Sequence, residues 1–194
     1  CNFVIRYSPF NSQAFVQRGL LHQKLGQLEE AISDLNKAIE IESENPRTYF
    51  KRALAFSETG DTTAALNDFN RIIELDPYND LTYYNRSMIY LKDEAWEKAI
   101  EDLRRVIELN PKNIHTWYNL GVAFLRIENY EEAAESLTMA INLLPSLIEA
   151  YRARMIAYNN LGKPKLADED YEMMVAISSA LDRGMDMKEL NEML

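Results

Sequence analysis

Cysteine is almost missing from this chain. The single Cys1 excludes an intramolecular disulfide and supplies no zinc ligand set, and the expected location is a reducing, cytoplasmic one. Histidine is nearly as scarce. His22 and His115 stand far apart, so no Ser/His/Asp or Cys/His set can be assembled around them, and no glycine-rich phosphate loop is present. No apolar run approaches the roughly 18 residues of a membrane span. Basic clusters are lacking too, and a net charge of -10 argues against nucleic acid, because phosphate binding rests on grouped Lys and Arg. These absences point away from catalysis, metals and cofactors, and away from nucleic-acid and membrane partners.

What is present is ordinary soluble material, 47% hydrophobic and 27% charged, arranged with a strict period. Residues 116–145 read TWYNLGVAFLRIENYEEAAESLTMAINLLP, two amphipathic helical patterns with a polar break at Glu128-Asn129. Steps of 34 residues back from Pro145 land on Pro111 and Pro77. The same steps from Trp117 give Tyr83, Tyr49 and Phe15, and one step forward gives Tyr151. Ala133 maps onto Ala31, Ala65, Ala99 and Ala167. A fixed period of this length means stacked copies of one supersecondary unit, with neighbour interfaces replacing a single core.

These residues resemble the tetratricopeptide repeat, in which W-x-x-L-G-x-x-Y is followed by A, an aromatic, A and P over 34 residues. Counting from Ser12, Pro46, Asp80, Ile114 and Ile148, the small residue of position 8 is Gly19, Ala53, Ser87 and Gly121, then Met155. Position 11 is His22, Phe56, Tyr90, Phe124 and Tyr158. Met155 and Met174, and Ser43 and Ser179 where proline is expected, depart from the pattern and bear on how tightly the ends pack. The resemblance implies an all-α fold, a right-handed α-solenoid of antiparallel helix pairs. It spans residues 12–181 as five repeats, each with a first helix from position 2 and a second from about 17 to 30.

The ends follow from the same grid. Residues 1–11 place Val4, Ile5, Tyr7 and Pro9 where a second helix ends, so they read as the tail of a preceding repeat. An alternative for Cys1, a lipid-anchored first residue, conflicts with the apolar Phe3-Val4-Ile5 that follows it. Residues 182–194 leave the pattern, and MDMKELNEML is expected to form a capping helix or begin a linker. Gly26, Gly60 and Gly162 supply the turn inside three repeats. Glu94 and Glu128 stand at that site in the other two, where a tighter or different turn is expected.

Two positions vary together. Position 7 is Arg18, Arg52, Arg86, Leu120 and Arg154; position 23 is Asp34, Asp68, Asp102, Ser136 and Asp170. The repeat that loses the arginine also loses the aspartate. A partly buried guanidinium needs a fork-shaped acceptor, so each Arg is expected to clamp the Asp of its own repeat.

The resemblance implies that first helices line a concave groove that receives an extended peptide or a partner segment. Its candidate residues are Phe50, Lys51, Tyr84, Asn85, Met88, Lys92, Tyr118, Asn119 and Arg126. The amides of Asn85 and Asn119 offer both donor and acceptor to a peptide main chain, like a short stretch of the asparagine ladder found in O-linked N-acetylglucosamine transferase. Six basic groove residues (Lys24, Arg47, Lys51, Lys92, Arg126, Arg152) face two acidic ones (Glu58, Glu149), a net +4 on an acidic chain. That asymmetry would steer an acidic or aromatic segment inward. The clamp that grips chaperone C-terminal tails is missing, because Phe50, Leu54, His115 and Asn119 occupy its flanking sites around Asn85. The expected role is a non-catalytic protein-interaction scaffold or adaptor. The alternatives are a substrate-recruiting arm of a larger enzyme, and self-association through the open ends, including Met173, Met174, Met185 and Met187.

Overall fold

A computed structural model describes residues 2–193, in which every regular element is an α-helix. Cys1, the site of the lipid-anchor alternative, lies outside the described residues, as does the side chain of Met187. The helices are α1 (Asn2–Tyr7), α2 (Ser12–Lys24), α3 (Leu28–Ile41), α4 (Pro46–Thr59), α5 (Thr62–Leu75) and α6 (Asp80–Lys92). They continue as α7 (Trp96–Leu109), α8 (Ile114–Arg126), α9 (Tyr130–Leu143), α10 (Ile148–Asn160), α11 (Pro164–Asp182) and α12 (Met187–Met193). The chain divides into two compact units, Cys1–Ile89 and Tyr90–Leu194. Among the described residues no helix is long and apolar enough to cross a membrane.

Helix starts follow the repeat grid because local chemistry recurs with it. Asn11, Asn45 and Asn113 precede first helices, and their side-chain oxygens accept from Ala14, Arg47 and Thr116 N–H at 2.9, 3.1 and 3.1 Å. Asn79 does the same for Thr82 at 3.1 Å. Each satisfies an N–H that has no partner inside its helix. First helices consequently begin at position 1, one residue earlier than the periodicity suggests. Second helices begin at position 17, and α3, α5, α7 and α9 end at position 30. By contrast, α11 runs on to Asp182; Ser179 stands where Pro77, Pro111 and Pro145 follow the other copies, which permits the extension without requiring it, since α3 ends at position 30 with Ser43 at the same place.

The turns inside the repeats correct the expectation for Glu94 and Glu128. Their φ angles are 57° and 60°, beside 73°, 83° and 67° at Gly26, Gly60 and Gly162. All five turns are closed alike. The N–H of position 16 donates to the carbonyl of position 11 at 2.8–2.9 Å, from Gln27 to His22 through to Lys163 and Tyr158. This six-to-one closure needs a left-handed residue one place earlier, whatever its side chain. Turn geometry therefore prevails over residue preference, and the two glutamates bear the strain.

Within the first unit, Phe15, Val16, Leu35 and Ala38 form one cluster, with Ile5 of α1 packed against it. Tyr49, Ala53, Ala65, Phe69, Ile72 and Ile89 form the next. In the second unit Leu137, Ile141, Tyr151, Ile177, Ala180 and Leu190 share a cluster. Helix pairs close tightly where position 8 is small: a Cβ on Gly121 would sit 2.5 Å from Leu137 Cγ. The fifth repeat relaxes at this point. Met155 takes the small-residue position, and Tyr171 is 58% exposed although its four counterparts are fully buried. Helix α12 inserts Leu190 fully buried, and the Ser146 N–H donates to Asn191 Oδ1 at 2.9 Å.

Candidate functional site

The arginines of position 7 are structural. Arg18 Nε and Nη2 donate to the two carboxylate oxygens of Asp34 at 2.7 and 2.5 Å. Arg52 holds Asp68 at 2.8 and 2.6 Å, and Arg154 holds Asp170 at 3.0 and 2.6 Å. The carboxylates are only 4–7% exposed, so the fork is what makes their burial tolerable. Arg18 is pushed above its usual pKa by the hydrogen bonds to Asp34. At Arg154 burial pulls the pKa down, and the bonds to Asp170 outweigh it. Arg86 and Asp102 fall in different units.

Sequence reasoning missed the third contact of these side chains. Arg52 Nη1 donates to Asn36 at 2.7 Å, Arg86 Nη1 to Asn70 at 2.6 Å, and Arg154 Nη1 to Thr138 at 2.8 Å. All three acceptors occupy position 25 of the preceding repeat, so the guanidinium of Arg52 ties α3, α4 and α5, and that of Arg154 ties α9, α10 and α11. The same group lies over aromatic rings at positions 4 and 11: Arg52 over Tyr49 and Phe56, and Arg154 over Tyr151 and Tyr158, at 5.5–5.7 Å. The spacing of position 25 was in the sequence, but nothing marked an asparagine and a threonine as equivalent acceptors. A further recurrent link runs from the position-4 side chain to the preceding turn. Tyr49 Oη donates to Ser43 O at 3.0 Å, Tyr83 Oη to Pro77 O at 3.3 Å, and Trp117 Nε1 to Pro111 O at 2.8 Å.

The proposed groove residues separate by unit. In the first, Phe50 is half-buried against the Tyr49–Phe69 cluster, its ring 6.0 Å from that of Phe69, so most of it serves packing. Lys51, Tyr84 and Asn85 are half-buried and Met88 is exposed. The Asn85 amide donates to Leu81 O within its own helix at 2.7 Å, which commits one of its donors. His22, at the position where the other repeats carry aromatic rings, is a half-buried polar link: Nδ1 lies 2.7 Å from Gln27 Oε1, and Nε2 lies 3.8 Å from Asp34.

In the second unit, Lys92 and His115 are exposed and Asn119 is half-buried. Tyr118, Val122 and Arg126 of α8 meet Arg152, Ala153 and Ile156 of α10 around a cleft of about 340 Å³, with Glu149 at its edge. Two facing first helices thus supply an aromatic and apolar floor with two cations above it. Arg126 is held in place by lying over the Trp96 ring, 5.8 Å from its centre. The exposed Ile156 sits in the same cleft. Among the described residues no group of three or more His, Cys, Asp and Glu side chains could hold a metal ion.

The repeat geometry agrees with family models. A TPR repeat model matches residues 19–60 and 88–128, and a tetratricopeptide repeat model matches 46–79 and 114–146. The chain belongs to the tetratricopeptide repeat (TPR) family. Its fold is that of solved TPR structures. A crystal structure of MamA superposes with a TM-score of 0.84 at 20% identity, covering 89% of this chain and 94% of that one. MamA 41-end from Desulfovibrio magneticus RS-1 gives 0.80 at 21%, covering 88% and 97%. YrrB, described as a TPR protein with an unusual peptide-binding site, gives 0.81 at 18%, covering 91% of each chain. No curated protein matches the chain by sequence. TPR arrays are, as a family, protein-interaction modules, generally without catalysis of their own, and membership supports that coarse role here.

Proposed function

We propose that this TPR protein is a non-catalytic scaffold that binds an extended acidic-aromatic peptide on the faces of its first helices. The observation that carries the proposal is the cleft between α8 and α10. It pairs aromatic and aliphatic side chains (Tyr118, Val122, Ile156) with two exposed guanidinium groups, Arg126 and Arg152, against the one carboxylate of Glu149. Apolar floor and basic rim together select a side chain that is aromatic or aliphatic beside a carboxylate. The rim has the opposite sign to the chain as a whole, so an acidic segment is drawn to this face and repelled elsewhere. Tyr84, Asn85, Met88 and Lys51 extend the same role in their own unit, and Asn119 offers its amide to the peptide main chain. YrrB's peptide-binding description is consistent with this role.

Fluorescence anisotropy with a labelled peptide of alternating aspartate and tyrosine tests it. Arg126→Glu with Arg152→Glu should weaken binding at least tenfold, and Asn85→Ala with Asn119→Ala severalfold, with helical content retained in both. Undiminished affinity in the charge-reversed protein would sink the proposal.

A further inference from the structure

The second unit carries a larger cleft, about 850 Å³, on a different set of residues from the α8–α10 cleft. Its position follows from the covariation of positions 7 and 23. In the second and fifth repeats the position-7 guanidinium fills a socket made by the rings of positions 4 and 11, the carboxylate of position 23 and the position-25 side chain of the preceding repeat. The fourth repeat has the same socket walls, Trp117, Phe124, Ser136 and Arg104, but Leu120 in place of the arginine, and all five residues line the cleft. Leu120 is 3% exposed and brings no guanidinium.

The vacated socket differs chemically from its counterparts. Ser136 presents no carboxylate, and its hydroxyl donates to Glu132 O at 2.8 Å, so nothing there calls for a guanidinium. Arg104, one repeat earlier, instead lies over the Phe124 ring at 5.5 Å. The floor is apolar and continues outward to Met139 and Leu166, both large hydrophobics left exposed. Glu131, Glu132 and Glu135 of α9 line the cleft, while Glu108 is already engaged by Arg105 at 2.7 Å. Lys163 and Arg104 also line it. With Glu108 neutralised by Arg105, three carboxylates stand against two cations and leave this rim slightly negative, whereas the α8–α10 cleft sets two cations against Glu149.

We infer that this empty arginine socket is a second peptide-docking site, taking a partner segment in which an aromatic or large aliphatic side chain is flanked by lysine or arginine. The apolar side chain enters beside Leu120 and Phe124, and the flanking cation meets the carboxylates of α9. The two clefts of this unit would then discriminate by charge, acidic segments at α8–α10 and basic ones here.

The probe is a fluorescein-labelled peptide, Gly-Lys-Trp-Leu-Arg-Gly, measured by anisotropy against its tryptophan-to-alanine and lysine/arginine-to-glutamate versions. Leu120→Arg with Ser136→Asp rebuilds the clamp that the other repeats carry, and should cut binding at least tenfold. Because that variant changes buried positions, Glu131→Lys with Glu135→Lys, both exposed, provides an independent arm with the same expected loss. Tyr118→Ala should leave binding of this peptide unchanged, which separates this site from the α8–α10 cleft. Equal binding of the wild-type protein to all three peptides, or undiminished binding by the lysine variant, overturns the proposal. So does a concentration-dependent dimer in sedimentation that Met139→Asp dissociates, since the cleft would then be covered by a second copy.

Discussion

Replacing Arg52 by leucine, as the fourth repeat does naturally at position 7, should destabilise the protein far more than the loss of one surface charge. Asp68 is 6% exposed and would be left buried without its fork, a loss of about 3–5 kcal/mol. Asp68→Ser leaves Arg52 with Asn36 and two ring faces, and should cost about 2–3 kcal/mol. The double variant Arg52→Leu with Asp68→Ser removes both charges and reproduces the Leu120/Ser136 pair that the same chain already accommodates. Only the Asn36 bond and the ring stacking are then forfeited, about 1–2 kcal/mol. The singles sum to about 5–8 kcal/mol against about 1–2 kcal/mol for the double, so the cycle should show a coupling of at least about 3 kcal/mol, the upper end for residues in contact. Urea unfolding followed by far-ultraviolet circular dichroism measures it, and amide exchange along α4 and α5 localises it, because repeat arrays respond chiefly at neighbouring interfaces. Singles that sum to the double would refute the clamp as an interdependent pair. So would an Arg52→Leu cost below about 1 kcal/mol, the range of exposed pairs.

Two further substitutions test the fold at other points. Glu128→Gly should stabilise by about 0.5–1 kcal/mol, because a left-handed conformation costs a non-glycine residue about 1–2 kcal/mol and glycine's extra chain entropy returns part of that; a lower urea midpoint in the variant would contradict the strain assigned to this turn. Leu190→Ala should release α12 by removing a fully buried side chain worth about 2–5 kcal/mol. The Ser146 amide, which donates to Asn191, would then lose its exchange protection, and unchanged protection would show that α12 docks by other means.

Much of the fold was legible in the sequence because its determinants are local and repeated five times. Position 8 is small, position 24 is large, and an asparagine precedes four of the first helices; each repeat restates the choice, so noise in one copy is averaged by the rest. The Arg–Asp clamp was legible for the same reason, since a simultaneous loss of both partners in one repeat is informative even within a single chain. The turn at Glu94 and Glu128 was misjudged because residue preference favours glycine, while the hydrogen bond from position 16 to position 11 demands a left-handed residue regardless. Phe50 holds a groove position in its repeat, while its packing against Phe69 depends on which way the side chain leans, which no spacing in the sequence encodes.

The sequence by itself determined the repeat length, the helix pairing within each unit, the identity of the buried ion pairs and the one repeat that lacks its pair. The tertiary structure alone decided which cavities result. The α8–α10 cleft is a space between two helices and the socket beside Leu120 one between several, and a void has no residue of its own to mark it in the chain. Their opposite rim charges are likewise decided in space, because Arg126 and Glu131 lie only five residues apart in sequence yet line different clefts.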